Sequence, residues 1–439
     1  MSKNICLMNK DVKVLTFNFD DAVYNIDSKK YLPYQLRGRI QEMPKLKENL
    51  SRYEATQYII KSQKNYNAIV SYLASRVLSL SRENAKKIYN LFGYQQLQDD
   101  ISKAKIAILC RAISLQDNYW VKLENDNIKW KDINLRANSL SQTVAMVSLH
   151  GSSLTLQGEA RTPEMNGQGA YAKAWIRENN ELYLLKKGQK GNDSIENESK
   201  IEVEVSNILD KCNVPHVKYE AAKSQNDYVC KCKCMTTEQL SILPGLDFIS
   251  YCNNNNLDAE KEIMKIDPDN IYKMWIVDYL ISNGDRHGMN WGFYYDAGSM
   301  DILGCHPLYD HNNAFDKDIM ANPDIPYLYN KKMSMKEAAI YAMNKVDFHF
   351  TEKILPSDFL SKEHYESFTN RSEELKIKYK KDLQYPDPEM VQKISTSQYV
   401  DKNDDVLLDD NEPVIKHQNI LKKIKEKIIP QDKNDNFER

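Results

Sequence analysis

Near the start of the chain apolar and polar residues alternate through ICLM and then VKVLTFNF, which predicts one or two strands. From residue 53 to residue 80 the period lengthens to three and four, and Tyr58, Ile59, Tyr66, Ile69, Tyr72 and Leu73 fall on one helical face. A second helix is expected between an N-cap at Ser81 and a stop at Gly93, and a third over 100–113. Residues 1–118 therefore read as a mainly helical module.

After Tyr119 the pattern shortens to β-like runs, YWVKL, DNIKW and SLTLQG, then ELYLLKK and HVKYEAA, with a helix expected over 199–211. Strands, one helix and more strands is the order of the small lobe of a kinase. At Asp267-Pro268 an N-cap and a first-turn proline open a helix whose apolar stripe is Ile271, Met274, Trp275, Val277 and Leu280, and which should end at Asn283-Gly284. NWGFYY and MDILGC then flank the turn-forming DAGS as a hairpin, and 331–380 reads as helical. Residues 381–439 are rich in Lys, Asp and Asn and read as a charged tail with one amphipathic stretch, ILKKIKEKII. The expected fold is α+β, a bilobal kinase-like domain over 119–380 between the helical module and the tail.

Composition narrows the setting. No run of eighteen apolar residues occurs and the first residues lack a secretory pattern, so a cytoplasmic protein without a membrane partner is expected. Lys and Arg total 60 against 62 Asp and Glu, which gives no global reason to expect a nucleic-acid partner. The eight cysteines form no CxxC pair. Cys230, Cys232 and Cys234 alternate with lysines at the period of a strand, which favours a buried strand over a metal site.

The segments with chemistry are NGDRHGMNWG, 283–292, and HPLYDHNNAF, 306–315. Phosphoryl transfer from ATP needs a carboxylate to orient the acceptor hydroxyl and oxygen ligands to hold Mg²⁺ against the phosphates. Asp285 precedes Asn290 by five positions, the step that separates the Asp and the metal-binding Asn of the HRDxxxxN kinase loop. Asp310 follows the hairpin, where the returning strand would bring it beside Asn290. The expectation is that Asp285 positions the acceptor, Asn290 and Asp310 hold the metal, and Arg286 and His287 brace the catalytic loop.

The ordered pair N-x-D-R-H-x-x-N and P-L-Y-D-x-N-N-A resembles the HipA-like serine/threonine kinases, the toxin halves of toxin–antitoxin pairs. Its DRHxxN-then-Asp layout is also similar to the phosphatidylinositol 3/4-kinases. The resemblance extends over roughly residues 145–350. It implies an ATP-contacting lysine at Lys186 rather than Lys187, a helical glutamate partner at Glu202 with Glu204 as the alternative, and a phosphate-covering loop over 166–176 with Gly167, Gly169 and Lys173. It further implies a protein Ser or Thr acceptor and a small antitoxin partner. The family's founding member carries a self-phosphorylated serine in that loop, whereas 166–170 hold no hydroxyl residue, leaving Thr162 or the Ser152-Ser153 pair as substitutes. A lipid or small-molecule kinase, and a non-catalytic nucleotide-binding module, are the rival readings.

Overall fold

The computed structural model describes residues 4–18, 24–42, 51–94, 99–156, 162–166, 169–322, 324–327 and 332–380. The expected tail and its amphipathic stretch, like Gly167, lie outside the described residues.

The first strands form as expected, β1 (Ile5–Asn9) and β2 (Val12–Phe17), with a short β3 (Tyr24–Ile26). Three helices follow, α1 (Arg52–Ala74), α2 (Ala85–Leu91) and α3 (Asp100–Leu109), and then β4 (Tyr119–Leu123). Ser51 and Glu54 close a reciprocal capping box at the start of α1. Ile59, expected on the buried stripe, is instead exposed.

These strands make one antiparallel sheet in the order β3-β2-β1-β4. The boundary expected after residue 118 therefore cuts a sheet, because every residue of β1 pairs with one of β4. The region is also less helical than its periodicity suggested: β1 is buried throughout and needs a strand on each side to satisfy its backbone. A buried fork reinforces the join. Arg76, just past α1, holds Asp117 through two hydrogen bonds of 2.7 and 2.8 Å and donates to the carbonyls of Ala112 and Tyr119. Leu7, Leu15 and Leu73 share a core with Leu243, Phe248 and Phe293 from the second half of the chain.

Two expected strands do not form among the described residues. In DNIKW the side chains of Asp132 and Asp11 take the amide hydrogens of Lys129 and Trp130, which starts a helical turn, α4 (Trp130–Ile133). In SLTLQG, 153–156 are irregular and 157–158 lie outside the described residues. A helix not foreseen, α5 (Gln142–His150), comes between the two.

The second sheet carries the candidate site. Its strands are β5 (Lys173–Glu178), β6 (Glu181–Lys187), β7 (Tyr219–Ser224) and β8 (Asp227–Lys233), in the order β5-β6-β8-β7, with α6 (Glu198–Leu209) between β6 and β7. Ala145 and Leu149 of α5 pack on one face against Ala174, Leu185 and Val229. On the other face α6 approaches Lys186, and Cys230 and Cys232 are buried beside Tyr219. Cys230 and Cys232 thus lie on the buried strand expected of them, whereas Cys234 falls one residue past β8 and is half-buried.

The remainder comprises β9 (Leu240–Pro244), α7 (Gly245–Asn254), α8 (Ala259–Ile266), α9 (Pro268–Leu280), the hairpin β10 (Gly292–Asp296) and β11 (Ile302–Cys305), then α10 (Lys317–Ala321), α11 (Met335–Met343) and α12 (Lys362–Glu374). β9 and the hairpin form a third sheet, β11-β10-β9. Asp267 caps α9 ahead of Pro268, as its sequence required. Among the described residues of 331–380, only α11, α12 and a single 3₁₀ turn over Pro356–Asp358 are helical.

Candidate active site

A cavity of about 380 Å³ lies between the second sheet and the loops around the hairpin. From the sheet side Lys173, Trp175, Leu184, Tyr219 and Cys232 line it, and from the loop side His287, Met289, Asn290, Tyr309 and Asp310. The face is set by register. Lys186 stands directly opposite Lys173 on β5 and Cys230 on β8, and Leu184 opposite Trp175 and Cys232, so these side chains share the cavity side of the sheet.

Lys186 is buried at 7% exposure and its Nζ sits between two carboxylates, Glu202 and Asp310, the latter at 2.6 Å. Burial alone would strip the proton from this ammonium. The Asp310 and Glu202 carboxylates outweigh it and hold the group well above the usual lysine range. Burial likewise opposes the charge on Asp310, but Lys186 and then Lys173 hold that carboxyl well below its usual range. Glu202 is raised, with burial exceeding the pull of Lys186. Its second oxygen accepts from the amide of His311 at 3.1 Å, which anchors the Asp310 segment to α6.

Of the two adjacent lysines on β6, Lys186 shares the cavity side of the sheet. Lys187 points to the opposite face and pairs with Asp227 at 2.7 Å, beside His150. Glu204 also turns away, accepting from His364 and from the amide of Leu360. Asp310 adopts a left-handed backbone, φ +60°, which an aspartate tolerates better than most residues and which aims its carboxylate back at Lys186. Pro215 and Leu308 fix this segment in space: Leu308 donates to the carbonyl of Pro215 and Val217 to that of Leu308.

The loop after α9 is built on Arg286, which is fully buried. Its guanidinium forks onto Asp278 in the last turn of α9 at 2.8 to 3.1 Å, and donates to the carbonyls of Asn290 at 2.7 Å and Tyr309 at 2.9 Å. It also donates to Nδ1 of His311 at 3.0 Å, and burial followed by this arginine keeps His311 neutral. Arg286 is thus the brace that joins the Asn290 loop to the Asp310 loop, without a place at the reacting atoms. His287 is exposed on the cavity rim and its Nδ1 accepts from the amide of Met289. His306 lies buried under Tyr309, and desolvation pushes its pKa down to about 4, so it too is a neutral support.

Asp285 joins two spaces. Its carbonyl accepts from the amide of the Asn290 side chain at 2.9 Å, and its carboxylate accepts from Asn313 at 2.8 Å. Asn290 lines the first cavity. Asn313 lines a second one of about 470 Å³, bounded also by Glu198, Phe315, Lys317 and His364. Sequence reading missed Asp278 and Asn313; the signals were a lone carboxylate inside the apolar run WIVDYL and the paired Asn312-Asn313 just past Asp310.

For a divalent cation, the cavity offers the Asp310 carboxylate and the side-chain oxygen of Asn290, whose NH₂ is already committed to Asp285. These are hard oxygen donors of the kind Mg²⁺ takes, one or two from protein with phosphates and water completing the set. Among the described residues no cluster of three or more His, Cys, Asp or Glu could hold a metal. Gly169, at φ +92°, lies against Lys173, where an added Cβ would meet the lysine Nζ at 2.7 Å. Burial and then Arg82 push Lys173 down to about 7.

No protein-family model matches this chain, and no curated protein matches it. Among the solved structures similar to this chain are a toxin–antitoxin system protein and a kinase. One is HipA of Shewanella oneidensis MR-1, solved with HipB and its operator DNA, at 10% identity and a TM-score of 0.46 over 85% of this chain and 98% of that one. The other is the Helicobacter pylori proinflammatory kinase CtkA, at 17% identity and a TM-score of 0.32 over 46% of this chain and 90% of that one. HipA gives its name to the family that the 283–315 motifs resemble. Among the described residues no helix is long and apolar enough to cross a membrane.

Proposed function

We propose that this chain is an ATP- and Mg²⁺-dependent kinase with a bilobal, kinase-like arrangement around the 380 Å³ cavity. The observation that carries the reading is Lys186, buried and held charged between Glu202 of α6 and Asp310 of the opposite loop. A desolvated ammonium positioned by a helical glutamate beside a metal-binding carboxylate is the arrangement that phosphoryl transfer uses to hold the phosphates. The base would lie among Leu184, Cys232 and Tyr309, with its phosphates toward Lys186, Lys173 and Gly169.

In this reading Asn290 and Asp310 hold Mg²⁺, which when bound neutralises charge on the phosphates. Asp285, tied to the nucleotide cavity through Asn290 and to the second cavity through Asn313, orients the acceptor hydroxyl. The hydroxyl oxygen attacks the γ-phosphorus, the bond to the β-phosphate bridging oxygen breaks, ADP leaves, and the hydroxyl proton passes to the Asp285 carboxylate. A protein Ser or Thr is the acceptor we favour, since the second cavity opens beside Asp285 and the 283–315 motifs resemble those of serine/threonine kinases. That resemblance extends the proposal to a toxin-like role with a small antitoxin partner.

The test is transfer of labelled phosphate from ATP, with Mg²⁺, into proteins of a cell lysate. Asp285→Asn should retain ATP binding and lower transfer by about two to four orders of magnitude. Transfer within threefold of wild type would remove Asp285 from the mechanism.

A further inference from the structure

Arg82 sits in the turn between α1 and α2, well outside the motifs that resemble a known family, yet it lines the cavity together with Lys173, Gly169 and Asp310. It is 6% exposed. Its one hydrogen bond among the described residues runs from Nη1 to the carbonyl of Glu164 at 3.4 Å, and its Nε has no partner there. Arg76, six residues earlier and equally buried, makes four close bonds. A guanidinium carries five N–H donors, and burying Nε without an acceptor while Nη1 makes one long bond is costly, so Arg82 is held in a place that calls for an anion.

Its position is fixed. The amide of Leu78 donates to the carbonyl of Met165 and the amide of Glu83 to that of Ala170, so the turn carrying Arg82 is pinned to both ends of the segment that reaches Gly169. The carboxylate of Glu164, the nearest candidate counter-ion, is already engaged by Thr162 and by the amide of Trp175 at 2.7 Å.

We propose that Arg82 is a phosphate-binding residue, supplied by the N-terminal part of the chain, that joins Lys173 and Lys186 in holding the polyphosphate of the nucleotide. This rests on the nucleotide reading above. It gives the N-terminal region a function: without that region the cavity loses one of its cations. Burial pushes Arg82 down to about 10, and Arg82 in turn helps depress Lys173; a bound polyanion relieves both.

The experiment is calorimetric binding of ATP, adenosine and inorganic tripolyphosphate to the full chain and to Arg82→Gln and Arg82→Lys. Loss of a charge-assisted contact should weaken ATP and tripolyphosphate about 10- to 100-fold in Arg82→Gln, leave adenosine within twofold, and be partly recovered in Arg82→Lys. Unchanged ATP affinity, or adenosine weakened in step with ATP, overturns the proposal and leaves the nucleotide reading standing. Binding of tripolyphosphate that depends on Arg82, with no binding of ATP or adenosine, keeps the anion site and overturns the nucleotide reading. If wild type binds none of the three, both fall. Should Arg82→Gln fail to fold, Arg82→Lys decides, because it keeps the charge and loses the fork: ATP weakened about fivefold with adenosine unchanged supports the contact, and parallel losses overturn it.

Discussion

Lys173 and Lys186 are direct cross-strand partners on β5 and β6, yet their surroundings drive their protons in opposite directions. Lys186 has two carboxylates at its Nζ and stays charged. Lys173, half-buried, is pushed down to about 7 by desolvation and then by Arg82. Like charges placed opposite each other across a sheet are unfavourable, and an anion between them turns the repulsion to use.

A pH dependence of nucleotide binding follows from this pair. Below its pKa of about 7 Lys173 already carries the charge that phosphate requires; above it, binding must first recover a proton. ATP affinity should therefore fall as pH rises, by up to about tenfold per pH unit above neutrality, with proton uptake on binding. Calorimetry in two buffers of different ionisation enthalpy measures that uptake directly. Lys173→Met should bind weakly with a flat profile over the same range, and a wild-type profile equally flat would show that Lys173 does not meet the phosphates.

Adjacent lysines on β6 allow a sharp contrast. Lys186→Met should abolish transfer or raise the ATP KM by at least an order of magnitude, while Lys187→Met, which loses only a partly exposed pair with Asp227, should stay within about twofold. Since Lys186→Met strands the buried carboxylate of Glu202, urea unfolding must accompany the kinetics, and Lys186→Met with Glu202→Gln should recover part of the stability without recovering transfer. A larger kinetic loss from Lys187→Met would invert the assignment of faces.

The proposed metal ligands make a separate claim. Asp310→Ala removes the anionic oxygen of the pair, so ATP affinity should cease to depend on Mg²⁺, whereas Asn290→Ala should keep a reduced dependence because the carboxylate remains. Titrations with and without Mg²⁺ on both variants distinguish these, and full Mg²⁺ dependence in Asp310→Ala would exclude that residue as a ligand.

How much of this was legible in the sequence depends on the range of the interactions. Asp285, Asn290 and Asp310 stand in one stretch framed by a capped helix and a hairpin turn, and both frames are local signals: Asp267-Pro268 and DAGS. The choice of Lys186 over Lys187 came from the resemblance, and strand alternation required the two to face apart, as they do. Glu202 and Glu204 are two apart on a helix and face different neighbours, which their spacing alone could not rank. What was not legible is long-range. Pairing of β1 with β4 joins residues more than a hundred apart, and Arg82 reaches the cavity only because its turn is pinned to 165–170.

The last prediction concerns Arg286, whose side chain is satisfied at every nitrogen by Asp278, two backbone carbonyls and His311. Asp278 is equally enclosed and also accepts from Asn283 and, at 2.5 Å, from the Tyr327 hydroxyl. Removing the arginine would leave a buried carboxylate without its cation and the carbonyls of Asn290 and Tyr309 without a donor, so Arg286→Met should cost about 3–5 kcal/mol of stability. Asp278→Leu should cost a comparable amount, and the double variant less than the sum, because the second change removes a charge that the first has already stranded. Arg286→Lys keeps the charge and loses the fork that spans the two loops; it should unfold at an intermediate denaturant concentration and lose transfer activity out of proportion to its stability, since Asn290 and Asp310 would no longer be held in register. Urea midpoints for the four proteins with phosphate transfer by Arg286→Lys provide the measurement, and additive losses in the double variant would show that Arg286 and Asp278 do not act as a unit.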